Sequence, residues 1–384
     1  MKRLILIVTL FAAMTVQAQE NTFWKKVDHF LTKQANVDTT FIYHPRTGLS
    51  LGLFSTGQKA GFHVDVGFDL KDDDDTISGV TKYSLSENLC TKVGLEVGYG
   101  NVVVGYGFEV GRRSAHKKRS FAVNILGRSW GVHFNYFNIS NPFTSGIVIG
   151  KEGDAIYWHD DWTSNELATL RSLTLDGYYV FNSKRFAYPA TYKVGLVQRR
   201  TAGSWMVTAR YMQGSLYSSP EASLDSYNLL DCFSTMQASI GGGYSVNFVL
   251  WHKDPTAKRD KGLRNLTLNL TAMPVLTVYN YLRTSSYLYD EDGNHYDVDG
   301  SCYGEKITKV LCRPMPNFVG SAALAFTWNR FFLSTQFAYN RFYFRSRDAL
   351  DVTLFDYSEF EIDNLSVVGT FHDWTLKGLL VYKF

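Results

Sequence analysis

KVGLEVGYGNVVVGYGFEVG, residues 92–111, alternates in side-chain character with a period of two on both sides of one short break. In its first half Val93, Leu95, Val97 and Tyr99 fall on one face and Lys92, Gly94, Glu96 and Gly98 on the other. After Gly100-Asn101 the pattern resumes, with Val102, Val104, Tyr106, Phe108 and Val110 opposite Val103, Gly105, Gly107 and Glu109. Successive side chains of a strand point to opposite faces, so this is a hairpin with one greasy face and one small or charged face.

The same arrangement recurs along nearly the whole chain. SFAVNILG (120–127) and WGVHFNYFNI (130–139) flank a break at Arg128-Ser129, and GSWMVTARYMQG (203–214) sets Trp205, Val207, Ala209 and Tyr211 against Ser204, Met206, Thr208 and Arg210. A water-soluble sandwich would have to bury all these aromatic faces in a core about 10 Å thick. Glycine-rich polar faces and apolar faces that end in Tyr, Trp or Phe instead fit lipid outside and a polar lumen inside. The expected fold is all-β, a transmembrane antiparallel up-and-down β-barrel of about 12 to 14 strands, or as many as 16.

A strand-by-strand reading yields fourteen segments: 47–57, 60–70, 89–99, 102–111, 119–127, 130–139, 168–182, 187–199, 203–214, 235–250, 264–280, 316–328, 331–344 and 366–384. Long loops belong outside and short turns in the periplasm. Counted back from the end, this set puts 281–315 outside but 140–167 inside, so at least one strand is miscounted. The suspects are the stretch 168–250, the start 47–57 and TTFIYH (39–44).

The ends of the chain supply an address. MKRLILIVTLFAAMTVQAQE has a basic start, an apolar stretch from Leu4 to Val16 and small residues before a cut after Ala18, the form of a cleaved signal peptide over 1–18. No Cys follows the cut to carry a lipid anchor. NTFWKKVDHFLTKQANVD (21–38) spaces Phe23, Trp24, Val27, Phe30 and Leu31 as a short amphipathic helix does, which places a short periplasmic segment at 19–38 before a barrel over 39–384. No later run of 18 apolar residues exists, so no helix of the mature sequence is long enough to span. The last strand, ending GLLVYKF with Tyr382 and Phe384, alternates to its final residue. A terminal aromatic resembles the assembly signal of outer-membrane proteins, which makes the barrel-assembly machinery and outer-membrane lipids the expected partners.

Composition limits the function classes. The chain has 24 Tyr, 27 Phe and 8 Trp, too aromatic for disorder, and a formal charge of +3 that falls to about +1 without Lys2 and Arg3. Nucleic acid is therefore not an expected partner. Four cysteines are too few for a disulfide-built domain; Cys302 and Cys312 are close enough in sequence for one bridge in a polar loop. No Cys/His spacing suggests a metal, and no cofactor motif occurs.

The segment YYVFNSKRFAYPATYKVGLVQRRTAGS (178–204) carries Tyr179, Phe181 and Asn182, then Arg185, Phe186, Ala187 and Tyr188, then Gln198, Thr201, Ala202, Gly203 and Ser204. These elements, with the glycine-rich VGLEVGYGNVVVGYGFEV and IGGGYSVNFVLW, resemble an uncharacterised family of Gram-negative outer-membrane β-barrel proteins whose domain has no known function. The resemblance covers most of the mature chain and implies a barrel with no assigned activity. Taken by themselves, Asn182–Arg185 and Arg200–Gly203 are polar turns between aromatic-rich strands.

Lys92, Glu96, Glu109, His133, Asp176, Lys193 and Arg210 lie opposite the apolar faces of their segments and are the candidate lumen residues. Charges of both signs there could select a small polar solute or brace the wall as a closed network. The basic runs 112–119 and 252–264 could meet lipid phosphates at a membrane surface. DEDGNHYDVDG (290–300) lacks the ligand spacing of a calcium loop. His133 and Asn135 share a face but Asn is no nucleophile, and Ser204 has no evident His partner, so no catalytic set emerges. The expected function is a narrow pore or transporter for a small solute in the outer membrane; a surface-binding or adhesion protein, or a wall protein without transport, is the alternative, and a lipid hydrolase the third.

Overall fold

The computed structural model describes residues 37–45, 48–72, 75–86, 90–110, 117–140, 144–151, 158–163, 169–217, 232–256, 260–285, 288–289, 295–296, 307–346 and 361–384. Twelve strands form the barrel: β1 (Leu49–Asp72), β2 (Cys90–Tyr99), β3 (Val102–Glu109), β4 (Lys117–Leu126), β5 (Trp130–Ser140), β6 (Thr169–Val180), β7 (Ala202–Tyr217), β8 (Cys232–Lys253), β9 (Arg264–Ser285), β10 (Met315–Trp328), β11 (Phe331–Arg345) and β12 (Glu361–Lys383). Each pairs antiparallel with its sequence neighbours, and β12 closes on β1 from Lys383↔Ser50 to Glu361↔Lys71. Closure leaves no free edge around the wall, the condition lipid imposes on a sheet.

The quoted hairpin forms as read, with Lys92 opposite Glu109 and Tyr99 opposite Val102. Gly100 opens its turn at φ +56°, a backbone conformation that suits glycine. Along β8 and β9 the inward Ser245, Asn247, Asn265, Thr267 and Asn269 are buried, whereas the outward Tyr244, Phe248 and Leu270 are exposed. The outside is thus apolar and the inside polar. Trp130, Tyr179, Trp205, Trp251, Trp328 and Phe331 are all exposed beside the turn end, an interfacial girdle.

The fourteen-strand count, and with it the higher figure of sixteen, is corrected to twelve for two reasons. Segments 47–57 and 60–70 are one continuous strand, β1, 24 residues long. Segment 187–199 is not a strand of the wall: it holds a 3-10 turn at Tyr188–Thr191 and a two-residue strand, Val197–Gln198. Taking 187–199 out of the wall restores the direction rule, because four strands instead of five now separate 140–167 from 281–315 and the two emerge at the same end. Four further strands, Asp75–Ser86, Thr144–Lys151, Trp158–Thr163 and Ile307–Leu311, belong to the sheet without being staves of the barrel. Ile42–Tyr43, within TTFIYH, pairs with Val197–Gln198 instead of joining the wall. The expected signal peptide, the amphipathic helix up to residue 36 and Cys302 lie outside the described residues. Among the described residues Cys312 carries a buried free thiol.

Candidate functional site: a plugged lumen

The β6–β7 connection turns inward. Asn182 starts the excursion, its backbone N–H donating to Ser204 Oγ (2.8 Å) and its side-chain Nδ2 to the Gly203 carbonyl (3.1 Å), so both ends of the insert are stapled at the rim. Between them Phe186, Ala187, Ala190, Leu196 and Val197 are buried. Phe186 packs with Leu126, Tyr178, Val180 and Met206 of the wall, and Ala187, Ala190 and Leu196 pack with Ile42. Apolar burial of this kind contributes roughly 25 cal/mol per Å² removed from water.

Polar bonds fix the plug's position. Gln198 accepts from the Ala187 N–H (2.9 Å) and from Asn247 Nδ2 (3.3 Å), while its own Nε2 donates to the carbonyls of Phe41, Arg185 and Arg200. Asn247 donates to the Ala187 carbonyl, Asn265 to the Gln198 carbonyl and Ser334 to the Thr191 carbonyl. Tyr192 donates to Asn269 Oδ1 (3.0 Å) and lies 3.0 Å from Ser321 Oγ. On the opposite side Lys193 Nζ donates to the Gly100 carbonyl and Asn101 Oδ1, each at 3.0 Å. The insert is therefore bonded to β8, β9, β10, β11 and the β2–β3 turn.

Above this floor lies a cavity of about 430 Å³, walled by residues of β1 to β7 and β9 to β12, with only Gly105 from β3, and bottomed by Tyr188 and Tyr192. Two ion pairs stand in it. Arg210 clasps Asp176 through two nitrogens, with Nη2 at 3.2 Å from Oδ2, and also donates to Asn340 (3.0 Å). Lys377 Nζ lies 2.9 Å from Glu96 Oε2 and 4.9 Å from the centre of the Phe54 ring. Lys92 donates to Gln58 (3.1 Å), and His133 Nδ1 is 3.1 Å from Asn124 Oδ1. The remaining polar lining includes Asn135, Ser172, Thr174 and Gln336.

Of the residues singled out from sequence, Lys92, Glu96, His133, Asp176 and Arg210 line this cavity. Glu109 stands opposite Lys92 on the same side of the sheet but outside the lining. Lys193 is placed differently from its expected strand position: it belongs to the plug, and burial pulls its amine down to about 7. Ser204 hydrogen-bonds to the backbone of Asn182 and Trp205. Tyr188, Tyr192, Gln198 and Lys377 were not singled out as lumen residues. Pro189 was the available signal for the first three, since a proline inside a strand pattern argues against a central strand.

A closed antiparallel wall, greasy outside and polar within, with an aromatic girdle and one end of short turns, defines an outer-membrane β-barrel protein. The chain belongs to the family of unknown function DUF4421, whose profile matches residues 36–254. That span ends at β8 and contains the plug. No curated protein matches the sequence. Among solved structures it is similar to the outer membrane protease OmpT from Escherichia coli, at 8% identity over 88% of this chain and 97% of that one, with a TM-score of 0.38. It is also similar to the COG4313 outer membrane channel from Pseudomonas putida F1 (10% identity, 91% and 100% covered, TM-score 0.22). A third likeness is to the toluene transporter TodX of P. putida (9% identity, 88% and 90% covered, TM-score 0.24).

Proposed function

We propose that this protein is a gated outer-membrane conduit that admits a small, uncharged polar solute from the outside and passes it when the plug at 186–199 moves. The observation that carries this reading is the cavity of about 430 Å³ floored by Tyr188 and Tyr192, within the range of small-molecule pockets. Four of the charges in it are already held in two ion pairs. A lone ion would have to break the Asp176–Arg210 or Glu96–Lys377 pair and leave a partner uncompensated, which costs several kcal/mol at a buried site. A hydroxyl-rich neutral solute can bond to Asn124, Asn135, Gln336 and Asn340 without that penalty.

The test compares wild type with a plug-loosening double variant, Gln198→Ala/Asn247→Ala, in planar bilayers and in liposomes swelling in neutral sugar. Little conductance from wild type and a clear rise in both conductance and sugar entry from the variant are expected. Equal, negligible permeation by both, with folding intact, would remove the conduit. A second reading, surface binding, draws support from Asp75–Ser86, Thr144–Lys151 and Trp158–Thr163, which continue the sheet at the long-loop end. Loss of glycan or cell-surface binding on replacing that added sheet would favour it over transport. A hydrolase reading would need lipid cleavage abolished by His133→Ala.

A further inference from the structure

The outward face where β11, β12 and β1 meet carries an ordered grid. Reading away from the turn end, the cross-strand rows are Tyr339, Trp374 and Lys59; then Arg341, His372 and Gly61; then Tyr343, Thr370 and His63; then Arg345, Val368 and Asp65. Lys59, His63, Arg341 and Arg345 are exposed. Gly61 leaves a notch that the His372 ring fills, since a Cβ there would sit 2.5 Å from His372 Cε1. His63 stacks on His372 with centroids 5.5 Å apart, and the Arg341 guanidinium lies 4.5 Å from the centre of the Tyr343 ring. Asp65, in the outermost row, is the one acidic group on these rows.

The height of the grid is fixed by the strands themselves. Phe331 and Tyr382, paired in register, mark the girdle at the turn end. Arg341 and His372 are also paired, ten residues further along each strand. Ten residues rise about 33 Å along a strand, or about 25 Å along the membrane normal at a tilt of roughly 40°, which is the height of the apolar band. Between the two rows the outward side chains are Leu333, Thr335, Phe337 and Tyr339 on β11 and Leu380, Gly378, Leu376 and Trp374 on β12. Lys59 stands in the last of these rows beside Trp374, where its long side chain can reach toward the interface, and Arg341 and Arg345 follow where hydrocarbon ends, in the plane of the outer-leaflet head groups.

We propose that Lys59, Arg341 and Arg345, with the His63–His372 pair between them, form a docking site for the phosphate groups of an outer-leaflet lipid, its tails lying along Phe337, Leu376 and Leu333 below. Apolar contact beneath and charge above match the two parts of such a lipid. The alternation that puts Glu96 and Lys377 in the lumen puts these cations outside, so the site is independent of any conduit through the barrel.

The test is native mass spectrometry of the detergent-purified protein titrated with lipid A bearing two phosphates and with the same lipid dephosphorylated. Wild type should retain the phosphorylated form selectively, less so at high salt. Each cation removed in the series Lys59→Ser, Arg341→Ser, Arg345→Ser should weaken retention about fivefold, equivalent to ~1 kcal/mol per charge. Arg341→Lys should keep most of it, and Glu96→Gln, in the lumen, should leave it unchanged. Equal retention of the dephosphorylated lipid, or wild-type retention by the triple variant, would overturn the proposal. Displacement of the lipid by micromolar inorganic phosphate would also overturn it, showing a free-anion site instead.

Discussion

Gln198 makes five hydrogen bonds from one fully buried side chain, and they tie Ala187 of the plug, the flanking Arg185 and Arg200 and the segment at Phe41 to β8. Gln198→Ala orphans the Ala187 N–H and several carbonyls, each costing roughly 1–3 kcal/mol when water cannot replace the partner. Hydrogen exchange over 186–199 should accelerate by at least tenfold in this variant while the β8–β9 pairing stays protected. Two other plug-side groups set its pH dependence. Burial, reinforced by Arg128, Lys193 and Lys383, pushes His44 down to about 4. The docked form therefore prefers neutral imidazole, and docking weakens as pH falls from about 6.5, the ordinary value, to about 4. Lys193, held at about 7, likewise favours the neutral amine, so docking strengthens as pH rises from about 7 to about 10.5, its ordinary value. Plug exchange, corrected for intrinsic rates, should slow steadily with rising pH, and Lys193→Met should flatten only the alkaline part.

At the scale of elements, the wall depends on close approaches at a few positions. A Cβ on Gly131 would fall 2.4 Å from the ring of Tyr178, which packs across β5 and donates to the Gly127 carbonyl at 2.8 Å. Gly131→Val should displace that ring and cost about 1–3 kcal/mol, read as a lower temperature for loss of folded-form mobility in electrophoresis. The β12–β1 seam ends on Phe384, whose N–H bonds to the Leu49 carbonyl (2.9 Å) and whose ring meets Tyr382 edge-on at 5.0 Å. Deleting Phe384 removes one seam bond and one girdle aromatic but leaves the register of the last strand intact. If it also serves as the assembly signal, the amount of barrel in the membrane should fall several-fold while the assembled fraction keeps wild-type stability. Unchanged membrane yield would reduce Phe384 to a girdle residue.

Over the whole molecule, three layers of contact are separable. The outer surface holds hydrocarbon with Leu, Val and aromatic side chains, the lumen holds paired charges and amides, and the plug joins the lumen to the turn end through Gln198, Tyr192 and Lys193. Because the plug bonds to five different places on the wall, moving it should be a concerted event rather than a local fraying. Removing 186–199 entirely should then leave the twelve-strand pairing standing and convert the cavity into a through-channel, measurable as a large, ohmic conductance. A deletion variant that assembles yet stays non-conducting would place the barrier elsewhere, above the cavity.

Period-two alternation decided a great deal here because a barrel in lipid leaves each strand only two environments. Lys92, Glu96, Asp176 and Arg210 were legible as inward residues from their neighbours alone, and so were the outward Tyr106, Phe108 and Trp205. What alternation could not carry was any relation between distant segments. It did not distinguish one 24-residue strand from two shorter ones at 49–72, because both give the same pattern. Nor did it show that 187–199 leaves the wall, since that stretch is packed by contacts with Asn247, Asn269, Ser321 and Ser334, far away in the chain. Local side-chain pattern determined the face each residue occupies; only the closed tertiary structure decided which inward residues meet, because a pair such as Glu96–Lys377 exists only once the sheet has curled back on itself.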